Sequence, residues 1–301
     1  MTKQKLTGIV PPLVTPLSDR DTLDIGGVER LMEHVIAGGV SGVFVLGTTG
    51  EGPSLSYRLR REVIDRAIKV VARRVQVLVG VSDTSAVETV ALTKHAADAG
   101  ADAVVLAPPY YYNESQAELL EYLQRVVPQL ALPVYIYNIP SLTKVAWEQD
   151  TIRRAMEIKN IIGLKDSSQN ILYFNRVREM TGSREDWSLL VGPEEMLAQT
   201  ALLGGDGGVC GGANIFPRMY VDLFNSARAG DVARARQLHK RVLHFSSTMY
   251  QANRQNSAII KGLKAALRSL GICDDATAEP FDRLPEAERQ RIGAFVKTFE
   301  Y

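Results

Sequence analysis

A single lysine closes the apolar segment Ile161-Ile162-Gly163-Leu164-Lys165, with Asp166-Ser167-Ser168 behind it. A free lysine amine is protonated at neutral pH, with a reference pKa of about 10.4. An apolar wall disfavours the ammonium ion, and the neutral amine attacks a ketone to form a Schiff base. Taken alone, a lysine after an apolar run is more simply a surface side chain that ends a strand. Lys165 is distinguished by its company. In Tyr135-Ile136-Tyr137-Asn138-Ile139-Pro140, alternation puts Tyr135 and Tyr137 on one side, with Tyr137 nearer the strand exit. Tyr137 and Lys165 are 28 residues apart, close to one βα unit of ~30 residues. That spacing predicts adjacent strands and similar height, where a phenol could protonate and deprotonate a carbinolamine formed on the lysine.

Two further segments carry suitable groups. Gly47-Thr48-Thr49-Gly50-Glu51-Gly52 has glycines that admit close backbone approach, N–H groups that can hold a carboxylate, and two hydroxyls. By itself it also reads as an ordinary glycine-rich turn. Pro108-Pro109-Tyr110-Tyr111-Tyr112-Asn113 sets three tyrosines in a row on a loop, which suggests a packed interface or a lined pocket.

These groups need a scaffold that brings strand ends together. Short apolar runs recur at Gly8–Val14, Gly42–Leu46, Val75–Val81, Ala103–Ala107, Pro133–Tyr137, Ile161–Leu164, Ser188–Val191 and Gly207–Cys210. Their centres run from near residue 11 to near residue 209, a mean spacing of about 28. The runs lack strict alternation, as expected of strands buried on both faces of a parallel sheet. Amphipathic stretches lie between them, opened by Asp24, Ser56, Ser85 and Ser115 and closed by Gly38-Gly39, Arg73-Arg74, Gly100 and Pro128. Eight such units predict a (β/α)8 TIM barrel, with catalytic residues at the carboxyl ends of its strands. A doubly wound sheet is the competitor, but no glycine-rich nucleotide fingerprint follows the first run. The last ninety or so residues read as helix over Pro217–Ala229, Asp231–Ala252, Ser257–Leu270 and Pro285–Phe299. We therefore expect a barrel over residues 1–224 and a C-terminal helical subdomain over 225–301.

Composition excludes several classes of function. Thirty-five basic against 34 acidic side chains give a net charge of +1, with no basic run to recruit nucleic acid or an anionic membrane. Cys210 and Cys273 have neither metal-ligand spacing nor a disulfide framework, and read as buried small hydrophobes. His34, His95, His239 and His244 form no ligand motif, so no metal is expected. No apolar stretch approaches the ~18 residues of a membrane span, and Met1–Gly8 lacks the apolar core of a signal peptide. A cytoplasmic protein is expected.

In order and at barrel spacing, Gly47-Thr48-Thr49-Gly50-Glu51, Pro109-Tyr110-Tyr111, Tyr137-Asn138-Ile139-Pro140, Gly163-Leu164-Lys165-Asp166 and Gly204-Gly205-Asp206-Gly207-Gly208 cover most of the chain. Together they resemble the pyruvate-dependent class I aldolases of the dihydrodipicolinate synthase and N-acetylneuraminate lyase superfamily. The resemblance implies a barrel with a C-terminal helical extension, a homotetramer built as a dimer of dimers, and pyruvate plus an aldehyde as substrates. It implies no metal or organic cofactor, only a covalent imine. By the same resemblance Lys165 is the Schiff-base nucleophile and Tyr137 the general acid/base. Thr48 relays protons between Tyr137 and Tyr111, and Tyr111 reaches into a neighbouring subunit's site. Thr48 and Thr49 hold the pyruvate carboxylate, and Gly192 and Val209 line the pocket near the lysine.

Substrate choice turns on a departure from one branch. In the synthases of that superfamily, an arginine after the Tyr-Asn-Xaa-Pro-Xaa motif binds the carboxylate of aspartate semialdehyde. Here Ser141-Leu142-Thr143 puts a leucine there, with Lys144 two residues further on. Leucine cannot pair with a carboxylate, and it resembles the neuraminate-lyase branch. Glu194-Glu195 after Gly192 could accept hydrogen bonds from sugar hydroxyls, Glu195 being the candidate binding residue, or could serve as helix-dipole partners. Gly211 stands where the sialic-acid enzymes offer a hydroxyl. The expected substrate is a hydroxylated 2-oxo acid such as a 2-keto-3-deoxy sugar acid. The alternatives are 4-hydroxy-tetrahydrodipicolinate synthesis from pyruvate and aspartate semialdehyde, and a non-catalytic 2-oxo-acid binding protein.

Overall fold

A computed structural model describes residues 5–182, 184–250 and 257–300. Its strands are β1 (Gly8–Ile9), β2 (Gly42–Val45), β3 (Gln76–Gly80), β4 (Ala103–Leu106), β5 (Val134–Asn138), β6 (Ile161–Asp166), β7 (Ser188–Val191) and β8 (Gly207–Gly208). Between them run α1 (Ile25–Ala37), α2 (Tyr57–Val71), α3 (Ala86–Ala99), α4 (Gln116–Val126), the short α5 (Pro140–Thr143) and α6 (Gln149–Ala155), α7 (Ile171–Thr181) and α8 (Leu197–Leu202). After β8 come α9 (Pro217–Arg228), α10 (Val232–Met249), α11 (Ala258–Ser269) and α12 (Glu286–Thr298). The strands pair in parallel in the order β1-β8-β7-β6-β5-β4-β3-β2. Phe44 closes the ring, its N–H donating to Pro11 O at 3.0 Å and its carbonyl accepting from Leu13 N at 2.8 Å. The chain is a (β/α)8 TIM barrel with additional C-terminal helices.

β1 is much shorter than the apolar run Gly8–Val14. Pro11 and Pro12 have no N–H to give the ladder, so pairing lapses into single bonds where they stand. α10 ends at Met249, short of the expected Ala252; Gln251 and Ala252, like residues 1–4, lie outside the described residues. The helix starts follow side-chain chemistry. Asp24 accepts from Gly27 N at 2.8 Å and Ser56 from Leu59 N at 3.2 Å, while Ser115 and Glu118 form a reciprocal capping box. Arg74 closes α2 by donating to the Val70 and Val71 carbonyls.

Two apolar layers result from the alternation of each strand. Inside the barrel, Leu6, Val10, Phe44, Leu78, Val105, Tyr135, Tyr137, Leu190 and Val209 pack as one cluster. The larger layer lies between sheet and helices and contains the fully buried Trp147 and Trp187. Both cysteines are free and buried. Among the described residues, no helix is long and apolar enough to cross a membrane.

Candidate active site

β5 and β6 set the central pair. Tyr137 lies directly opposite Lys165 in the β5–β6 register, and Asn138 opposite Asp166. Alternation sends the first pair into the barrel and the second out toward the helices. Inside, Lys165 Nζ sits 3.8 Å from the Tyr137 ring centroid and 5.0 Å from that of Phe44. Both Lys165 and Tyr137 are buried. Thr48 Oγ1 reaches Tyr137 Oη at 3.4 Å from the loop after β2. Burial raises the Tyr137 pKa, but the Lys165 charge and hydrogen bonds with Lys165, Thr48 and Ser167 outweigh it, so the phenol titrates below its ordinary value. A phenol tuned downward beside an amine is equipped to exchange protons with groups on that amine.

Outside the barrel wall, a second network holds this pair in place. Asn138 Nδ2 donates to Asp166 Oδ1 at 2.9 Å, and Ser168 donates to the same carboxylate through Oγ and N, each at 3.1 Å. Trp147 donates its backbone N–H to Asn138 Oδ1 and its indole N–H to the Tyr137 carbonyl, both at 3.1 Å. Burial pushes the Asp166 pKa up, while the Asn138 and Ser168 bonds oppose it.

The loop after β2 is folded so that part of its backbone stays available. Glu51 N donates to Thr48 O at 3.1 Å, Gly52 N to Gly47 O at 3.2 Å, and Thr15 Oγ1 to Gly50 O at 2.6 Å. Among the described residues, the N–H groups of Thr48 and Thr49 meet no protein acceptor. Both residues are half-buried, beside the barrel mouth. Unused donors at this position suit a carboxylate. Gly52 is required for close packing, because a Cβ there would stand 2.2 Å from Leu46 O.

The other residues selected from sequence fall in several places. Gly192, after β7, donates its N–H to Asp166 O at 2.7 Å, and a Cβ on it would meet Ser167 Oγ at 2.0 Å. Val209 is buried in the interior cluster with Tyr137 and Leu190. Leu142 lies in α5 and is 54% exposed; Lys144, its neighbour in that turn, is also exposed. Tyr111 is 70% exposed and packs edge-on against Tyr112, with ring centroids 5.0 Å apart. It makes no hydrogen bond or ring contact with Thr48 or Tyr137 among the described residues. Glu195 is half-buried and lines a cavity with Leu243, His244 and Tyr250. Its neighbour Glu194 is buried, accepts from Tyr220 Oη at 2.6 Å and from Gly212 N at 2.8 Å, and thereby joins the β7 exit to the β8 exit. Burial, with the Glu195 charge, raises its pKa to about 7 against the pull of Tyr220, Gly212 and Tyr250.

Phe44 and Ser167 belong to the site and were not selected from sequence. Ser167 stands two residues beyond Lys165, where β6 has just ended and alternation no longer assigns a face. Phe44 lies in an apolar run that marks it only as core. No group of three or more His, Cys, Asp or Glu side chains able to hold a metal occurs among the described residues.

Comparison with known proteins agrees with this architecture. The sequence model of the Dihydrodipicolinate synthetase family matches residues 5–299. The chain belongs to that family. A solved structure of dihydrodipicolinate synthase from Bacteroides thetaiotaomicron superposes with a TM-score of 0.94 at 50% identity, covering 97% of this chain and 98% of that one. YagE of Escherichia coli (strain K12), provisionally named a 2-dehydro-3-deoxy-D-gluconate aldolase, is 36% identical over 85% of each chain. Its structure in complex with pyruvate matches at a TM-score of 0.91 and 33% identity over 98% of both. A 4-hydroxy-tetrahydrodipicolinate synthase from Methanothrix thermoacetophila (strain DSM 6194 / JCM 14653 / NBRC 101360 / PT) is 34% identical over 81% of each. Family members are pyruvate-dependent enzymes that make or break carbon–carbon bonds, and this chain is a lyase of that kind.

Proposed function

We propose that this enzyme forms and cleaves a hydroxylated 2-oxo acid, of the 2-keto-3-deoxy sugar acid type, through a Schiff base on Lys165. The observation that carries the reading is the buried pairing of Lys165 with Tyr137 across β5 and β6, with Thr48 on the phenol. In the cleavage direction, neutral Nζ adds to the substrate C2 carbonyl, Tyr137 delivers a proton to the carbinolamine hydroxyl, and water leaves. The imine draws electrons as the C4 hydroxyl passes its proton to the Tyr137 phenolate and the C3–C4 bond breaks, releasing an aldehyde. The resulting enamine takes that proton from Tyr137 at C3, and water returns to free pyruvate, the amine and the phenol. The protonated imine is the electron sink, so these steps require neither metal nor organic cofactor.

Thr48 and Thr49 bind the carboxylate through their unused N–H groups and their hydroxyls. Gly192 and Val209 line the imine end, and Leu142 and Glu195 flank the space for the aldehyde. Tyr111, exposed in one subunit, completes the relay in a neighbour within a homotetramer. Leu142 favours the sugar-acid substrate, because its apolar, exposed side chain offers no charge to a second carboxylate. A second reading, condensation of pyruvate with aspartate semialdehyde, draws support from the 50% identity to a structure that carries the synthase name.

Borohydride reduction in the presence of pyruvate, followed by peptide mapping, tests the shared chemistry. A reduced pyruvyl adduct is expected on Lys165, and a folded protein without one refutes the aldolase reading. Parallel assays of 2-keto-3-deoxy-gluconate cleavage and aspartate semialdehyde condensation then choose between substrates. A faster condensation would replace the first reading with the second.

A further inference from the structure

Glu51 and Lys264 form an ion pair whose side chains are both fully buried. Lys264 lies on α11, 213 residues from Glu51 in sequence and outside the strand–loop elements that carry the chemistry. Glu51 adopts a left-handed backbone, φ 57°, at the end of the loop that presents Thr48 and Thr49. Its Oε2 accepts from Ala278 N at 2.8 Å, while Lys264 Nζ donates to Ala276 O at 2.6 Å. The pair thus fastens two layers at once: the loop after β2 and the strap that links α11 to α12. The strap is bound elsewhere too. Arg30 Nε donates to Ile272 O at 2.7 Å, and buried Asp275 receives Arg268, Arg283 and Arg289.

Stability is a poor explanation for this arrangement. Desolvating two charges offsets most of their attraction, and apolar replacements of a buried pair are often neutral or stabilising. A directional link between a carboxylate and a particular loop conformation gives a better account. Glu51 is the residue immediately after Thr48-Thr49-Gly50, so fixing it fixes the end of the segment whose Thr48 hydroxyl reaches Tyr137. Its own N–H also returns to Thr48 O.

We propose that the Glu51–Lys264 pair is a positioning device, by which the C-terminal helices hold the Thr48–Thr49 loop in its carboxylate-binding and phenol-contacting conformation. This inference rests on the aldolase reading above. Glu51 and Lys264 touch no reacting atom in it; they act through Thr48 and Thr49.

The test compares wild type with Glu51→Gln, Lys264→Met and the double variant, measuring pyruvate dependence of borohydride trapping alongside thermal unfolding. Wild type comes first: no adduct on Lys165 refutes the aldolase reading, whatever the variants do. Given an adduct, each single variant is expected to raise half-saturating pyruvate about tenfold, as for groups coupled within one network. The double variant leaves no unpaired buried charge, so its melting temperature should return toward wild type while half-saturation stays raised. That split is the signature of positioning. Half-saturation that equals wild type in the double variant, or recovers in step with melting temperature, overturns the proposal. The double variant is sufficient to decide between these outcomes if a single variant does not fold.

Discussion

Replacing Tyr137 with phenylalanine isolates the proton-transfer role proposed for it. The ring is buried and stays in place, so the 3.8 Å packing of Lys165 Nζ on the aromatic face survives. What disappears is Oη, with its 3.4 Å contact to Thr48 Oγ1. Thr48 is half-buried and can turn to water, so the cost in stability should stay near ~1 kcal/mol. Loss of a positioned acid/base lowers rate by about 10²–10⁴-fold, or roughly 3–5 kcal/mol of barrier. The assay is the initial rate of trapped adduct at saturating pyruvate, with steady-state cleavage and an unfolding curve beside it. The pH profile adds an independent check. The Tyr137 phenol titrates below its ordinary value, so under the proposed role a phenol-linked limb in the rate should appear at correspondingly lower pH and vanish in Tyr137→Phe. A folded Tyr137→Phe enzyme within about threefold of wild type, with an unchanged profile, would refute the assignment, since acid/base loss implies far more.

Other perturbations probe separate links. Lys165→Ala should abolish both adduct and turnover while the barrel still folds; residual turnover measured by product analysis would remove the Schiff base from the mechanism. Leu142→Arg places a cation in the exposed turn after β5 and should raise aspartate semialdehyde condensation relative to sugar-acid cleavage; an unchanged ratio in paired assays would detach Leu142 from specificity. Glu194 has its pKa raised from 4.5 to about 7, so its protonated form is favoured in the native state. The associated stability is present below pH 4.5 and is lost as pH rises through 7, in total about 3 kcal/mol. Chemical unfolding across this window should show that loss in wild type and its absence in Glu194→Gln, and a constant difference between the two proteins would contradict it.

The barrel was legible because its signals are local. Serine and aspartate caps, glycine stops and apolar runs each act within a few residues, and the parallel ladder only has to repeat them. The same locality explains the errors in length. An apolar run reports burial, whereas a strand needs N–H donors, which Pro11 and Pro12 withhold from β1. Lys165 and Tyr137 were legible for a related reason: one βα unit of spacing plus strand alternation fixes both neighbourhood and face, and the register pairs them directly. Glu51 illustrates what spacing cannot convey. The sequence sets it beside the two threonines, but its partner is Lys264, brought in by helices whose docking depends on the whole surface they cover. Glu194 illustrates a second case. As a carboxylate after β7 it reads as a ligand for hydroxyls or as a helix-dipole partner, and Tyr220 from α9 and Gly212 after β8 occupy both of its oxygens. Sequence places each carboxylate at a strand exit, Glu51 only as part of the glycine-rich motif and Glu194 as one of an acidic pair, and each meets partners that arrive from a later part of the chain. The residues proposed to meet the substrate are therefore those the barrel repeat places, and the groups proposed to hold them in position, Lys264 above all, come from helices later in the chain.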